Sequence, residues 1–224
     1  MRGIKLQSEY PDLDKYKDNG DIYYYKKNNL ILHNPYGPAV IYKNGKTEFH
    51  IDGFFIGNEK LNSEYPDLDK YKLKNIIYYY KKGTATVHNP YGPAIINNDD
   101  FQYIIDGSYL GKKKLQSEYD DLDKYIDDLG DISYYKKKTN IQHNLFGPAY
   151  IGTKGEKDYF VNDEYIGSDK KDLYLYIKDS YSMLKRNIKD KKINIKDKLF
   201  ILNVKTILNE NLNNESINIL KFIL

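Results

Sequence analysis

Alternating apolar and polar positions divide most of the chain into short strands. Ile22 to Lys26 and Leu30 to His33 flank the polar stretch Lys27-Asn28-Asn29. Val40 to Tyr42 and Glu48 to Ile51 flank Asn44-Gly45, a dipeptide suited to a type I′ hairpin turn. Asp52-Gly53 then reverses the chain into Phe54-Phe55-Ile56. Leu61, Tyr65, Leu68 and Tyr71 follow one another at i, i+4, i+7 and i+10, which predicts one face of a short helix. Asn62 or Ser63 can cap that helix, and Pro66 is tolerated because first-turn amides lack intrahelical acceptors.

The pattern returns with a fixed period. His33-Asn34-Pro35-Tyr36-Gly37-Pro38-Ala39 reappears as His88-Asn89-Pro90-Tyr91-Gly92-Pro93-Ala94 and as His143-Asn144-Leu145-Phe146-Gly147-Pro148-Ala149, each time 55 residues on. Leu6 to Tyr16 likewise returns at Leu61 to Tyr71 and at Leu115 to Tyr125, with Asp120 in place of proline. Residues 1–168 therefore read as three tandem units, each of about four or five strands and one short helix. Gly37-Pro38, Gly92-Pro93 and Gly147-Pro148 are assigned a structural role. Proline cannot donate to a ladder, glycine turns where other residues cannot, and the following alanine fits a crowded position.

Residues 169–224 contain no copy of the unit. Ser168 or Asp169 can cap a helix whose Tyr174, Ile177, Tyr181, Leu184 and Ile188 form one apolar face. Beyond Lys189-Asp190-Lys191-Lys192, the run Leu199 to Val204 fits a strand or a buried helix, and the turn-free continuation to Leu224 favours helices. The segment has twelve basic and seven acidic residues, a net +5, which leaves the repeat region at −2. A terminal cap over the last repeat is the first reading. Recruitment of a partner or self-association through this segment is the second.

Composition narrows the chemistry. The chain has 25 Tyr and 8 Phe in 224 residues, enough apolar area for a core despite 30% charged side chains. It has no Cys, so disulfides, thiolate metal sites and thiol nucleophiles are excluded. Lys outnumbers Arg 33 to 2. That bias, with abundant Asn and Ile, fits an AT-rich genome and need not signal a ligand. No apolar run approaches the roughly 20 residues that span a bilayer, and Met1-Arg2-Gly3-Ile4-Lys5 is not followed by a signal-peptide core. The chain reads as soluble and intracellular, neither secreted nor membrane-spanning.

His-x-x-x-Gly-Pro-Ala, an apolar strand, Asn-Gly and a second strand ending in Asp-Gly together resemble the MORN-like hairpin repeats of phage, bacterial and giant-DNA-virus proteins. Gly37-Pro38-Ala39, Asn44-Gly45 and Asp52-Gly53 carry the best match; Thr153-Lys154-Gly155 and Asn162-Asp163-Glu164 depart from it in the last unit. With the Lys, Asn, Ile and Tyr bias, the chain looks like a mimivirus-type giant-virus repeat protein. The resemblance implies an adaptor role that includes anionic membrane surfaces.

Catalytic constellations are not apparent. His33, His88 and His143 recur once per unit, and several strands at about 4.8 Å each should hold them too far apart for one metal ion. His50 is not repeated, since Ile104 and Phe160 stand in its place. Asp12 and Asp14, or Asp67 and Asp69, lack the glycine and bidentate glutamate of a calcium loop. No cofactor or metal is expected. The binding candidates are the Tyr clusters and the lysines that close them: Tyr23, Tyr25, Lys26 and Lys27; Tyr78, Tyr80, Lys81 and Lys82; Tyr134, Lys136 and Lys137. An outward aromatic and basic stripe of this kind suits protein contact or anionic headgroups. Nucleic acid is least favoured, because arginine is scarce and the repeat region is net acidic. The overall reading is a β-rich α+β chain of three hairpin repeats with short interleaved helices and a helical C-terminal cap, acting as a non-enzymatic protein-interaction scaffold.

Overall fold

A computed structural model describes residues 3–189. Each repeat is one six-stranded antiparallel sheet whose strands follow in chain order. The first contains β1 (Ile4–Leu6), β2 (Leu13–Asp18), β3 (Asp21–Lys26), β4 (Val40–Ile41), β5 (Thr47–Ile51) and β6 (Phe54–Gly57). The second contains β7 (Glu59–Leu61), β8 (Leu68–Leu73), β9 (Ile76–Lys81), β10 (Ile95–Asn97), β11 (Asp100–Ile105) and β12 (Ser108–Gly111). The third contains β13 (Lys113–Leu115), β14 (Leu122–Ile126), β15 (Ile132–Lys136), β16 (Tyr150–Ile151), β17 (Lys157–Val161) and β18 (Glu164–Gly167), and α1 (Lys170–Lys189) follows. The expected array of three hairpin repeats and a terminal helix is therefore present. Asp169 caps α1, its Oδ1 accepting from the Lys171 amide at 2.9 Å. Among the described residues no helix is long and apolar enough to cross a membrane.

The described chain forms two compact units. One runs to Glu118 and includes Asp123–Leu129 and Lys137–Asn140; the other holds Tyr119–Leu122, Gly130–Lys136 and the described residues from Ile141 onward.

Turn chemistry sets the hairpins. Asp52-Gly53 has φ of 54° and 84° and joins β5 to β6, with Ile51 paired to Phe54. Asn19-Gly20 (51° and 95°) joins β2 to β3, with Asp18 paired to Asp21. Both are two-residue turns with the positive φ pair of type I′, whose twist matches the flanking strands. Asn44-Gly45 departs from the type I′ expectation. Of the two residues Gly45 alone has a positive φ, and the Gly45 amide donates to the Tyr42 carbonyl at 2.9 Å. The connection is a three-residue loop, a type I turn closed by glycine.

The expected helix between Leu61 and Tyr71 is instead a loop and a strand. Leu61 ends β7, Leu68 begins β8, and the two strands pair from Glu59 opposite Lys72 to Leu61 opposite Lys70. Leu6 to Tyr16 and Leu115 to Tyr125 follow the same course. Leu68 and Tyr71 are the buried residues of β8, and their spacing of three imitates a helical face. Pairing decides the outcome. β8 lies against all six residues of the Tyr-rich β9, whereas a helix of about three turns would leave that edge unpaired and is marginal by itself.

Both faces of the sheet are covered. Neighbouring residues in a strand point to opposite sides, yet Tyr24 and Tyr25 are both buried, as are Tyr79 and Tyr80. On one side the Ser-Glu-Tyr loop folds back over the sheet. The Tyr24 hydroxyl donates to Glu9 Oε1 at 2.5 Å, and Lys15 Nζ lies 3.0 Å from Glu9 Oε2 and 5.1 Å above the Tyr24 ring. Tyr79, Glu64 and Lys70 repeat this arrangement at 2.6, 3.1 and 5.0 Å. On the other side, Phe49, Ile51 and Ile56 of the first repeat form one buried cluster with Tyr71 and Tyr80 of the second. Each such side chain contributes on the order of 2 kcal/mol by leaving water.

The third repeat ends differently. Tyr159 and Val161 stand where the first repeat has Phe49 and Ile51, and they are buried with Leu145 against Leu173 and Ile177 of α1. The helix thus covers the face that a following repeat covers elsewhere. The buried stripe is Leu173 and Ile177, flanked by Tyr176, while Tyr174 is half-buried. The other expected members, Tyr181, Leu184 and Ile188, lie outside the residues whose side chains are described, as does the stretch from Asp190 to Leu224.

Candidate functional site

The predicted aromatic and basic stripe is largely consumed by the fold. Tyr25, Tyr80 and Tyr134 are 1%, 7% and 3% exposed, so none can meet a partner. Tyr80 belongs to the Tyr71 cluster, Tyr25 packs edge-on against Tyr16 at 5.8 Å, and Tyr134 holds the position of Tyr24 under the loop. The expectation of one outward Tyr set fails because β3, β9 and β15 have no open face around these positions. Tyr23 and Tyr78 stay half-buried, stacked on Tyr25 and Tyr80 at 6.3 and 6.2 Å.

The lysines have intramolecular partners. Lys26 Nζ lies 2.7 Å from Asp52 Oδ1 and Lys81 Nζ 3.1 Å from Asp106 Oδ1. Lys27 and Lys82 donate to the Pro11 and Pro66 carbonyls at 2.7 and 2.8 Å, tethering the loop to the end of β3 and β9. Lys136 is half-buried and Lys137 exposed, and both are engaged in further interactions. Exposed ion pairs add little stability, but they reduce the free positive charge offered to a ligand.

The His-Asn-x-x-Gly-Pro-Ala segment is a backbone clip. Asn34 Nδ2 donates to the Pro38 carbonyl at 2.9 Å, and its Oδ1 accepts from the Tyr36 and Gly37 amides at 3.0 and 3.2 Å. Asn89 makes the same three bonds to Pro93, Tyr91 and Gly92. Asn144 bonds the Pro148 carbonyl and the Phe146 amide. Gly37, Gly92 and Gly147 do not use positive φ. Each faces the Asn side chain, whose Nδ2 would lie 3.6 to 3.7 Å from an added Cβ. Pro38, Pro93 and Pro148 supply the accepted carbonyl. Ala39, Ala94 and Ala149 are fully buried, and the Ala39 carbonyl accepts from the Tyr24 amide at 2.8 Å. The Gly-Pro pairs sit inside this clip, with asparagine as the residue that organises it.

The three histidines hold the opposite turn. His33 Nδ1 accepts from the Asp52 amide at 3.0 Å, His88 Nδ1 from the Asp106 amide at 2.9 Å, and His143 Nδ1 from the Asn162 amide at 3.2 Å. In the first two repeats the same nitrogen also lies 2.9 and 3.1 Å from the Asp52 and Asp106 carboxylates, whereas at His143 acceptance from the Asn162 amide requires a neutral Nδ1. Burial pushes His33 down from its usual value, partly offset by the Asp52 carboxylate. In the third repeat Asn162 replaces that aspartate, and burial, helped by Lys136, pushes His143 down to about 4.

A group depressed in the folded state contributes stability above its unfolded value and loses it as pH falls toward its folded value. Between pH 6.5 and about 4, His143 is thus expected to withdraw on the order of 3 kcal/mol. His143→Asn, whose amide oxygen can accept the Asn162 N–H, should flatten that slope in urea midpoints taken at pH 7 and pH 4.5. An unchanged slope would remove His143 as its source. The lowered carboxylates, led by Glu9 at about 2 under the Tyr24 hydroxyl, act at lower pH.

Aromatic side chains that remain exposed lie where sequence reasoning did not look. Phe55, Tyr109 and Tyr165 hold the same position, two residues past each tight turn, and are 40%, 42% and 56% exposed. They pair across the hairpin with His50, Ile104 and Phe160. Tyr36 and Tyr91 also remain accessible, stacked on Tyr10 and Tyr65 at 4.6 and 4.5 Å. The signal was an aromatic at a constant offset from Asp52-Gly53, Asp106-Gly107 and Asn162-Asp163. Comparison of the chain with protein-family models, curated proteins and solved structures finds no match.

Proposed function

We propose that this chain is a non-enzymatic repeat scaffold that binds a protein partner through the aromatic residue beyond each hairpin turn. The observation that carries the reading is the exposure of Phe55, Tyr109 and Tyr165 at one equivalent position per repeat. Aromatic side chains offer large contact area at low entropic cost, and three copies on one chain add avidity without a strong single site. Kinship with MORN-like hairpin repeats of giant-virus type belongs to this reading, supported by the recurrent clip, as does an intracellular location. An adaptor for anionic lipid draws less support, because Lys26, Lys81, Lys27 and Lys82 are engaged within the chain. Oligomerisation through residues 169–224 is not needed for it.

The test is capture from a lysate of the native source, with nuclease present, using the full chain and a Phe55→Ser, Tyr109→Ser, Tyr165→Ser variant as parallel baits. A specific protein retained by the first and lost by the second is the expected result. An identical partner set for both baits, or none above control, overturns the reading. Salt-sensitive sedimentation with anionic liposomes would turn attention to the lipid alternative.

A further inference from the structure

Each repeat carries three aromatic rings in succession on the side covered by its folded-back loop. Tyr10 meets Tyr24 and Tyr36 at 6.0 and 4.6 Å, and Tyr65 meets Tyr79 and Tyr91 at 6.3 and 4.5 Å. Tyr119 meets Tyr134 and Phe146 at 6.1 and 4.6 Å. In the first two repeats the outer ring, Tyr36 or Tyr91, is 56% or 43% exposed, and its hydroxyl donates to a carboxylate, Asp12 at 3.2 Å or Asp67 at 3.1 Å. What lies over the outer ring differs from repeat to repeat. Phe146 packs against the cluster that contains Leu173 and Ile177 of α1. Over Tyr91 lies Lys138 Nζ, 4.7 Å from the ring centroid and within the range of a cation–π contact. Among the described residues no ammonium lies over Tyr36.

A single residue makes the difference. Lys138 follows Tyr91 by 47 residues, and Gly83 follows Tyr36 by the same interval. The two hold one structural position: their amides donate to Asp123 Oδ2 and Asp69 Oδ2, both at 2.8 Å, with φ of 61° and 71°. Glycine sends no side chain back to the preceding repeat. Tyr36 therefore keeps the exposed ring, the stacked neighbour that holds it and the carboxylate at its rim, without an ammonium above it. The second repeat specifies what fits such a platform: an ammonium on a flexible alkyl stem, drawn to the negative face of the ring and to the acidic side chain beside it.

We infer that the Tyr36 ring and the Asp12 carboxylate form a binding site for a lysine side chain of another polypeptide, the contact that Lys138 makes with Tyr91 inside the chain. The inference uses residues other than the hairpin aromatics and stands apart from the reading above. The probe is the peptide acetyl-Gly-Lys-Gly-amide, titrated into the full chain while the Tyr36 ring and the Tyr36 and Gly37 amides are followed by NMR. Saturable shifts in the millimolar range are expected at Tyr36, and weaker ones at Tyr91, whose ring is already covered. The same peptide with its lysine acetylated, which keeps the stem and loses the charge, should not saturate the site. Gly83→Lys should cut the response at Tyr36 about fivefold or more by supplying the ammonium from within. An added Cβ there meets nothing within 4 Å, and Lys138 already adopts the same backbone, so the variant keeps the fold. Gly83→Ala should bind as the unaltered chain does, and Lys138→Ala should raise the response at Tyr91 to that of Tyr36. The inference is overturned by absence of saturable shifts at Tyr36, by an equal response to the acetylated peptide, or by an unchanged response in Gly83→Lys.

Discussion

Gly111→Ala should lower the stability of the folded chain by about 3 kcal/mol or more, while Gly45→Ala should cost only about 1 kcal/mol. A Cβ added at Gly111 would lie 2.6 Å from the Ile126 carbonyl oxygen, 3.0 Å from its carbon and 3.1 Å from Tyr125 Cβ. All three atoms belong to a paired strand or to the Cβ of a buried ring, so relief requires the second hairpin and the strand it meets to separate. The residue also has a φ of 154°, which an L side chain rarely adopts. At Gly45 the added methyl meets nothing within 4 Å, and only the positive φ of 83° opposes it. Urea midpoints of the two variants separate these causes: equal losses would mean that close approach between neighbouring repeats does not limit stability. Gly57 repeats the geometry more gently, with Tyr71 Cβ at 3.0 Å and the Lys72 oxygen at 3.1 Å. Its alanine variant should fall between the two.

Asn89→Ala should cost about 2–4 kcal/mol, because it strands a carbonyl and two amides that a buried side chain had satisfied. Asn89 is 4% exposed, and its bonds to Pro93, Tyr91 and Gly92 are 2.9, 3.0 and 3.2 Å long. Faster amide exchange at Tyr91 and Gly92 should accompany the loss, since those protons have no other acceptor in the clip. Asn89→Asp tests the donor separately. The carboxylate still accepts from both amides but faces the Pro93 carbonyl, so its penalty should shrink as pH falls and a protonated oxygen can donate. A stability change below 1 kcal/mol for Asn89→Ala, with exchange unaltered, would mean that the loop is held by its neighbours and not by this side chain.

The clip shows how a repeated motif can be noticed and its working residue missed. Gly37, Pro38 and Ala39 drew notice because their backbone properties are unusual, whereas asparagine has many roles and reveals one only when its partners are placed. The histidines are similar. Their equal spacing suggested a metal and then argued against it, yet their use as acceptors for a turn amide follows from Asp52 lying 19 residues away and being folded back. The aromatic beyond the turn was visible as Phe55, Tyr109 and Tyr165, but the denser Tyr clusters took precedence. Density of Tyr in a strand here marks a sheet covered on both sides.

The sequence by itself determined the number of repeats, their period, the tight turns at Asp52-Gly53 and Asp106-Gly107, and the capped helix after the third repeat. Each of these is a matter of local backbone preference or of direct self-comparison, and needs no knowledge of distant neighbours. Only the tertiary structure decided that Leu61 to Tyr71 runs as loop and strand, that Tyr25, Tyr80 and Tyr134 are core, and that the lysines pair within the chain. Those outcomes turn on which element covers which face. The alternation of a strand says that two faces differ, but a folded-back loop on one side and the hairpin of the preceding repeat on the other can bury both, as at Tyr79 and Tyr80, through contacts that no short stretch of sequence contains.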